Sequence, residues 1–183
     1  MPEIEPPGPD DAFASARAGE ATGFAALVRL HQALVYGIAL RMLMDRALAE
    51  DLSQEVFLQM YRSLRTIDSH EHLTFWLRRV TAHRAIDRLR QERRVETAAL
   101  EEAEGVLAAS LGDDPMLRKH LQTLIQQLAP MARAVVLLRY QEDLDPVEIA
   151  RTLDIPINTV KSHLKRSLST LRRQLSGLSS VSS

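Results

Sequence analysis

Residues 145–166, DPVEIARTLDIPINTVKSHLKR, decide the fold of the C-terminal part of the chain. Asp145 is a good N-cap, and Pro146 suits the first helical position, where a missing N–H costs nothing. A short helix over Pro146–Leu153 presents Ile149, Ala150 and Leu153 inward, and the small Ala150 lets a second helix cross closely. Asp154, Ile155 and Pro156 make the turn, because Pro156 resists continuation of the first helix. In the next helix Val160, Leu164, Leu168, Leu171 and Leu175 step by four, four, three and four, which predicts one buried stripe. Left outside are Thr159, Lys161, Ser162, Lys165 and Arg166, clustered in the first turns. The pattern is a helix-turn-helix, whose second helix places such side chains against base edges and phosphates in the major groove. The alternative is a helical hairpin whose basic face is only solvated. A short helix, a tight turn and a polar-basic outer face together favour DNA.

The remainder of the 183 residues is also helical in character. Aromatics make up only 4% and glycines number seven, against abundant Ala, Leu, Arg and Glu. Periodicity predicts helices over about 20–44, 46–64, 71–94, 131–141 and 158–176, with shorter ones over 11–18, 114–128 and 146–153. The helix over 131–141 is apolar nearly all round, which predicts burial. In the helix over 71–94, Leu73, Leu77 and Val80 share one apolar face, and Phe75, Ala82, Ile86 and Leu89 another. Between these faces runs a strip of Trp76, Arg79, His83 and Arg90, suited to stacking on unpaired bases and holding phosphates. Core packing is the competing reading of Trp76.

Between Val95 and Asp114 the chain carries six acids, no basic residue and two glycines, and it reads as a flexible acidic linker. The expected fold is therefore all-α, with two small helical domains. The expected divisions are a disordered tail over 1–9, a domain over 10–94, the linker over 95–114, a helix-turn-helix domain over 115–176 and a disordered tail over 177–183.

The formal net charge of −1 speaks against a polyanionic partner only as an average. Phe75 to Arg94 holds seven arginines against Asp87 and Glu92, a net of +5. Ile155 to Ser183 holds five basic residues and no acid, again +5. Two separated basic helices, one per domain, suit a protein that meets a long polyanion at two places.

Other classes are disfavoured. Without cysteine there is no disulfide framework, thiolate metal site or Cys nucleophile, as suits a reducing cytoplasm. No apolar run approaches the roughly 20 residues that cross a bilayer, so no membrane insertion is expected. His70, Glu71 and His72 lack HExxH spacing, and no Gly-rich phosphate loop is present, so no metal, cofactor or catalytic residue is expected. A two-domain regulator acting without a polymerase would need a sensing or dimerisation domain, yet residues 10–94 show no ligand motif or heptad seam.

Three segments in order, AEDLSQEVFLQMYRSL (49–64), FWLRRVTAHRAIDRLRQERR (75–94) and LRYQEDLDPVEIARTLDIPINTVKSHLKRSLSTLRRQL (138–175), resemble the extracytoplasmic-function (ECF) sigma factors of bacterial RNA polymerase. The resemblance covers roughly residues 10–176. It implies an alternative sigma factor that binds core polymerase and directs initiation at promoters, with no catalysis of its own. The family's core-docking pattern falls on Asp51, Gln54 and Glu55, with Arg62 one or two turns later. Recognition and melting of the minus-ten element falls on the loop from about Ile67 to His72 and on Trp76, Arg79, His83, Arg84 and Arg88. Recognition of the minus-thirty-five element falls on Thr159, Lys161, Ser162, Lys165 and Arg166. The implied partners are core RNA polymerase, promoter DNA and an anti-sigma factor, in the cytoplasm. Two positions depart from the family: His83 stands where Asn is common, and Asn158 where Gly is usual.

Overall fold

The computed structural model describes residues 8–98 and 115–179. Most of the N-terminal tail, the linker from residue 99 onward and the last four residues lie outside the described residues. Everything described is helix, turn or connecting loop, as expected of an all-α chain. The chain divides into two compact units, with the division falling inside one helix between Ala85 and Ile86.

The first unit holds α1 (Pro9–Arg17), α2 (Ala21–Leu43), α3 (Arg46–Ser63), a 3₁₀ turn (Leu64–Thr66) and the first half of α4 (His70–Ala98). Gly23 sets how closely α1 and α2 approach, since a Cβ there would lie 2.4 Å from the Ala16 backbone nitrogen. Met44 ends α2 in the left-handed region with φ of 60°, and the Asp45 side chain caps α3 by accepting the Leu48 N–H at 2.9 Å. Leu27, Val35 and Met42 from α2, Leu52, Val56 and Met60 from α3, and Leu73 and Leu77 from α4 are fully buried. By length and composition α2 could cross a membrane. Nine of its residues are instead buried in the unit, while Arg29 and Gln32 face solvent, so it is a core helix.

The second unit contains the rest of α4, then α5 (Pro115–Gln127), α6 (Pro130–Tyr140), α7 (Pro146–Leu153) and α8 (Ile157–Ser179). The expected burial of α6 holds, for every residue from Ala132 to Leu138 is buried, Arg133 included. Arg133 is kept there by donating to the Gln126 carbonyl, while Arg93 donates to the carbonyls of Gln126 at 3.3 Å and Leu128 at 2.8 Å. The two guanidiniums satisfy carbonyls that α5 leaves without intrahelical partners at its end. Burial, then the neighbouring Arg93 charge, pushes the Arg133 pKa down to about 10.

Helix ends shift slightly from those expected. The third long helix runs on to Ala98, so the first four residues of the expected linker are helical, and α8 runs on to Ser179, three residues into the expected tail. Within α4 the deeply buried positions are Leu73, Leu77, Thr81, Ala82, Ala85, Ile86 and Leu89. Thr81 replaces Val80 on the inner face because its hydroxyl donates to the Leu77 carbonyl at 2.7 Å, which removes the cost of burying it. Val80 and Phe75 are half-buried.

Candidate nucleic-acid interface

In the helix-turn-helix, Asp145 caps α7 through a full capping box. Its Oδ1 accepts the N–H groups of Val147 at 2.7 Å and Glu148 at 2.8 Å, and Glu148 Oε2 accepts the Asp145 N–H at 2.7 Å. Asp154 ends α7 in the left-handed conformation, and the Ile155 N–H returns to the Ala150 carbonyl at 3.1 Å. These two fixed ends set where α8 begins. Val160, Ser167 and Leu171 form the buried line of α8, with Leu164, Leu168 and Leu175 only half-buried beside it. Lys161, Lys165 and Arg166 are exposed on the opposite side with Asn158, and Thr159 and Ser162 are half-buried beside them. All five residues expected to read duplex DNA thus lie on one end of one helix. His163 is half-buried among them, and burial, then the Arg166 charge, holds its pKa below the ordinary histidine value.

The outward face of α3 carries Asp51, Gln54, Leu58, Tyr61 and Arg62, all exposed and spaced three, four, three and one apart. Leu58 is 59% exposed and Tyr61 is 65% exposed, with the Tyr61 ring edge-on to Phe24 at 5.2 Å. Such a stripe, apolar at its middle and charged at its ends, has the make-up of a protein-docking surface. Glu55 is turned to the side. Its Oε2 accepts from Arg84 Nη1 at 2.7 Å, while Arg84 Nε and Nη2 both donate to Gln59 Oε1, at 3.0 and 2.8 Å. One residue expected at core polymerase and one expected at the minus-ten element therefore bind each other.

The loop before α4 is short and doubly held. Ile67, expected among the DNA-contacting residues, is 1% exposed and anchors the loop from beneath, so its side chain presents no surface to a base in this conformation. Ser69 Oγ accepts the His72 N–H at 3.0 Å, capping the first turn of α4. Between these anchors Asp68 and Ser69 are exposed. His70 and His72 diverge, His70 toward His31 and His72 toward Asp68, which is not how two ligands of one metal would lie. Trp76, Arg79, His83 and Arg88 are all half-buried along α4, so Trp76 is neither wholly core nor wholly surface.

Residues 27–95 match Sigma-70 region 2, and residues 118–171 match Sigma-70 region 4. The chain is 31% identical to the ECF RNA polymerase sigma factor SigW of Bacillus subtilis, over 87% of this chain and 92% of that one. The chain belongs to the ECF sigma factors of the sigma-70 family. This sigma factor is also 34% identical to the RNA polymerase sigma factor CarQ of Myxococcus xanthus, over 88% of this chain and 94% of that one. Its fold is that of the sigma factor RpoE of Bartonella quintana, solved in complex with the anti-sigma factor NepR. The TM-score is 0.68 at 18% identity, covering 84% of this chain and 96% of that one. The sigma factor accordingly serves promoter recognition in transcription initiation.

Sequence reasoning missed several residues of these surfaces. Leu58 and Tyr61 fall on the same helical stripe as Asp51, Gln54 and Arg62, so the three-and-four spacing could have found them. Gln59 and its bond to Arg84 bridge two helices 25 residues apart in sequence, and no local pattern reveals that. The capping box of α7 is legible as Asp145 followed three residues later by Glu148.

Proposed function

We propose that the sigma factor divides its work among three surfaces. The stripe of α3, with Asp51, Gln54, Glu55 and Arg62 joined by Leu58 and Tyr61, docks on core RNA polymerase. The loop over 67–69, the first turn of α4 over 70–72 and the α4 face of Trp76, Arg79, His83 and Arg88 capture and open the minus-ten element, with Ile67 as loop anchor and Arg84 as the brace to α3. The first turns of α8, through Thr159, Lys161, Ser162, Lys165 and Arg166, read the minus-thirty-five duplex. Residues 10–94 and 115–176 are the two working domains, and 95–114 is the connection between them. An anti-sigma factor holds the protein inactive in the cytoplasm, a reading supported by the complex in which its structural relative was solved. No residue of the chain takes part in nucleotide chemistry, which belongs to the polymerase.

The observation that carries this reading is the exposure of Lys161, Lys165 and Arg166 in the first turns of α8, with Thr159 and Ser162 half-buried beside them. Behind them stands a buried line and a fully capped preceding helix. Tethering the two modules to one polymerase turns two weak contacts into one tight one through effective concentration. Run-off transcription with bacterial core polymerase tests the reading. Promoter-dependent transcripts that vanish when the sigma factor is omitted are expected. Failure to bind core, with no promoter-dependent start on any genomic template, would contradict it.

A further inference from the structure

The inner face of α2 steps Leu27, His31, Val35, Ile38 and Met42. Four of these are apolar. His31, equally deep at 5% exposed, is the exception. An aliphatic side chain would pack there without any desolvation penalty, whereas a buried imidazole must be hydrogen-bonded to be tolerated. Its Nε2 lies 3.1 Å from Nε2 of His70, the first residue of α4. The ring centroids are 5.0 Å apart and the planes differ by 31°, so the rings meet nearly end to end and are not stacked. One nitrogen donates and the other accepts. This is a directional bond across 39 residues of sequence, and it ends on the residue that closes the loop before α4.

That loop has three residues, Ile67 to Ser69, and its two ends are held differently. Ile67 is buried and its N–H donates to the Leu64 carbonyl at 3.3 Å, so this end is tied only to the adjoining 3₁₀ turn. The other end has the Ser69 cap and the His31–His70 bond, and only the latter reaches another helix, α2. Between them stands Asp68, whose side chain is 90% exposed. Its N–H donates to His72 Nδ1 at 3.4 Å, so the tip turns with the first turn of α4.

We propose that His31 is a positioning residue for promoter opening: its bond to His70 fixes the first turn of α4 and so aims the loop over 67–69 at the minus-ten element. The proposal rests on the minus-ten reading of that loop given above. His31 itself touches no DNA. The charged and titratable groups acting on it are His70 and Arg78, both on α4. Burial first, then His70, then Arg78, lowers the His31 pKa to about 4, so the imidazole is neutral and able to share a single proton with its partner throughout the working pH range.

The experiment uses the full chain assembled with core polymerase. It measures core affinity, binding to a minus-thirty-five duplex, and strand opening by permanganate reactivity of minus-ten thymines. His31→Leu keeps the inner stripe apolar and is expected to fold with an unchanged or higher melting midpoint. It should slow opening about five- to tenfold, the effect of losing roughly one net hydrogen bond, with core affinity and duplex binding unchanged. His31→Gln, whose amide can reach His70, should recover part of the loss, and His70→Leu should match His31→Leu. Asp68→Ala and Trp76→Ala test the loop reading in parallel. If they slow opening while His31→Leu opens like the wild type, the positioning role is wrong and the loop reading stands. If Asp68→Ala and Trp76→Ala also open normally, the loop reading falls and the inference falls with it. Loss of core affinity in His31→Leu equal to its loss of opening would likewise overturn the proposal, since it would make the residue merely structural.

Discussion

Residues 75–94, within α4, and 155–183, which include α8, carry the same net charge of +5 in sequence, yet the structure uses that charge in different ways. On α8 the basic side chains Lys161, Lys165 and Arg166 are exposed, and the helix is held from behind by Val160, Ser167 and Leu171. On α4 three of the arginines are engaged within the protein. Arg84 forks onto Glu55 and Gln59, Arg90 pairs with Asp87 at 3.6 Å, and Arg93 covers the carbonyls at the end of α5. Net charge thus locates both helices but does not measure what each offers a phosphate. A surface with exposed charges suits readout of an intact duplex. A helix with part of its charge already engaged, an aromatic at half burial and a loop held at both ends suits capture of bases that something else has helped to expose.

Removing exposed charge from α8 should have the largest effect. Lys165→Ala combined with Arg166→Ala should weaken minus-thirty-five duplex binding by roughly 2–3 kcal/mol and lower the salt slope by about two. Core association, measured in the same preparation, should not change. Equal weakening of core association would erase the contrast between the helices.

Acid should act on the other unit. With its pKa lowered from 6.5 to about 4, His31 takes up a proton in the unfolded chain before it does so in the folded one. Stability is therefore level above about pH 6.5 and falls as pH drops from there toward 4, by roughly 2–3 kcal/mol for this group. Denaturant unfolding across that range should show the slope in the wild type and a shallower one in His31→Leu. Identical slopes would mean that His31 is not the titrating group.

Cutting the brace between α3 and α4 ranks next. Arg84→Ala should destabilise the first unit by about 1–2 kcal/mol, discounted because both partners are partly solvated. A double-mutant cycle with Gln59→Ala should return a coupling of about 0.5–1 kcal/mol. Zero coupling, together with weakened binding of a minus-ten single strand, would show that Arg84 belongs to the DNA and not to the brace. The smallest effect is expected at the start of α7, where Asp145→Ala should cost about 1 kcal/mol of stability in the second unit.

The sequence made most of the fold legible because helices announce themselves locally. Caps, proline positions and apolar spacing placed α7 at Pro146–Leu153 and α3 at Arg46–Ser63 with little or no displacement. What stayed hidden was contact between distant segments. The four-residue step from Leu27 points His31 inward, but nothing near it in sequence names His70. Ile67 reads as a loop residue, and loop residues are usually exposed, yet tertiary packing buries it. Arg84 reads as one arginine among seven, and only its meeting with Glu55 and Gln59 separates it from the rest. The candidate duplex-facing surface was easier to read because it lies within eight consecutive residues of one helix.

In the proposed division of labour, α8 and α4 serve separable steps. Run-off transcription from a linear promoter and from the same promoter with a mismatched, pre-opened minus-ten region tests it most directly, using Lys165→Ala and Trp76→Ala variants with core polymerase. Lys165→Ala should be impaired on both templates through weaker minus-thirty-five engagement, whereas Trp76→Ala should be impaired on the linear promoter and largely restored on the pre-opened one. If both variants respond alike to pre-opening, the two helices do not divide the work, and the account is contradicted.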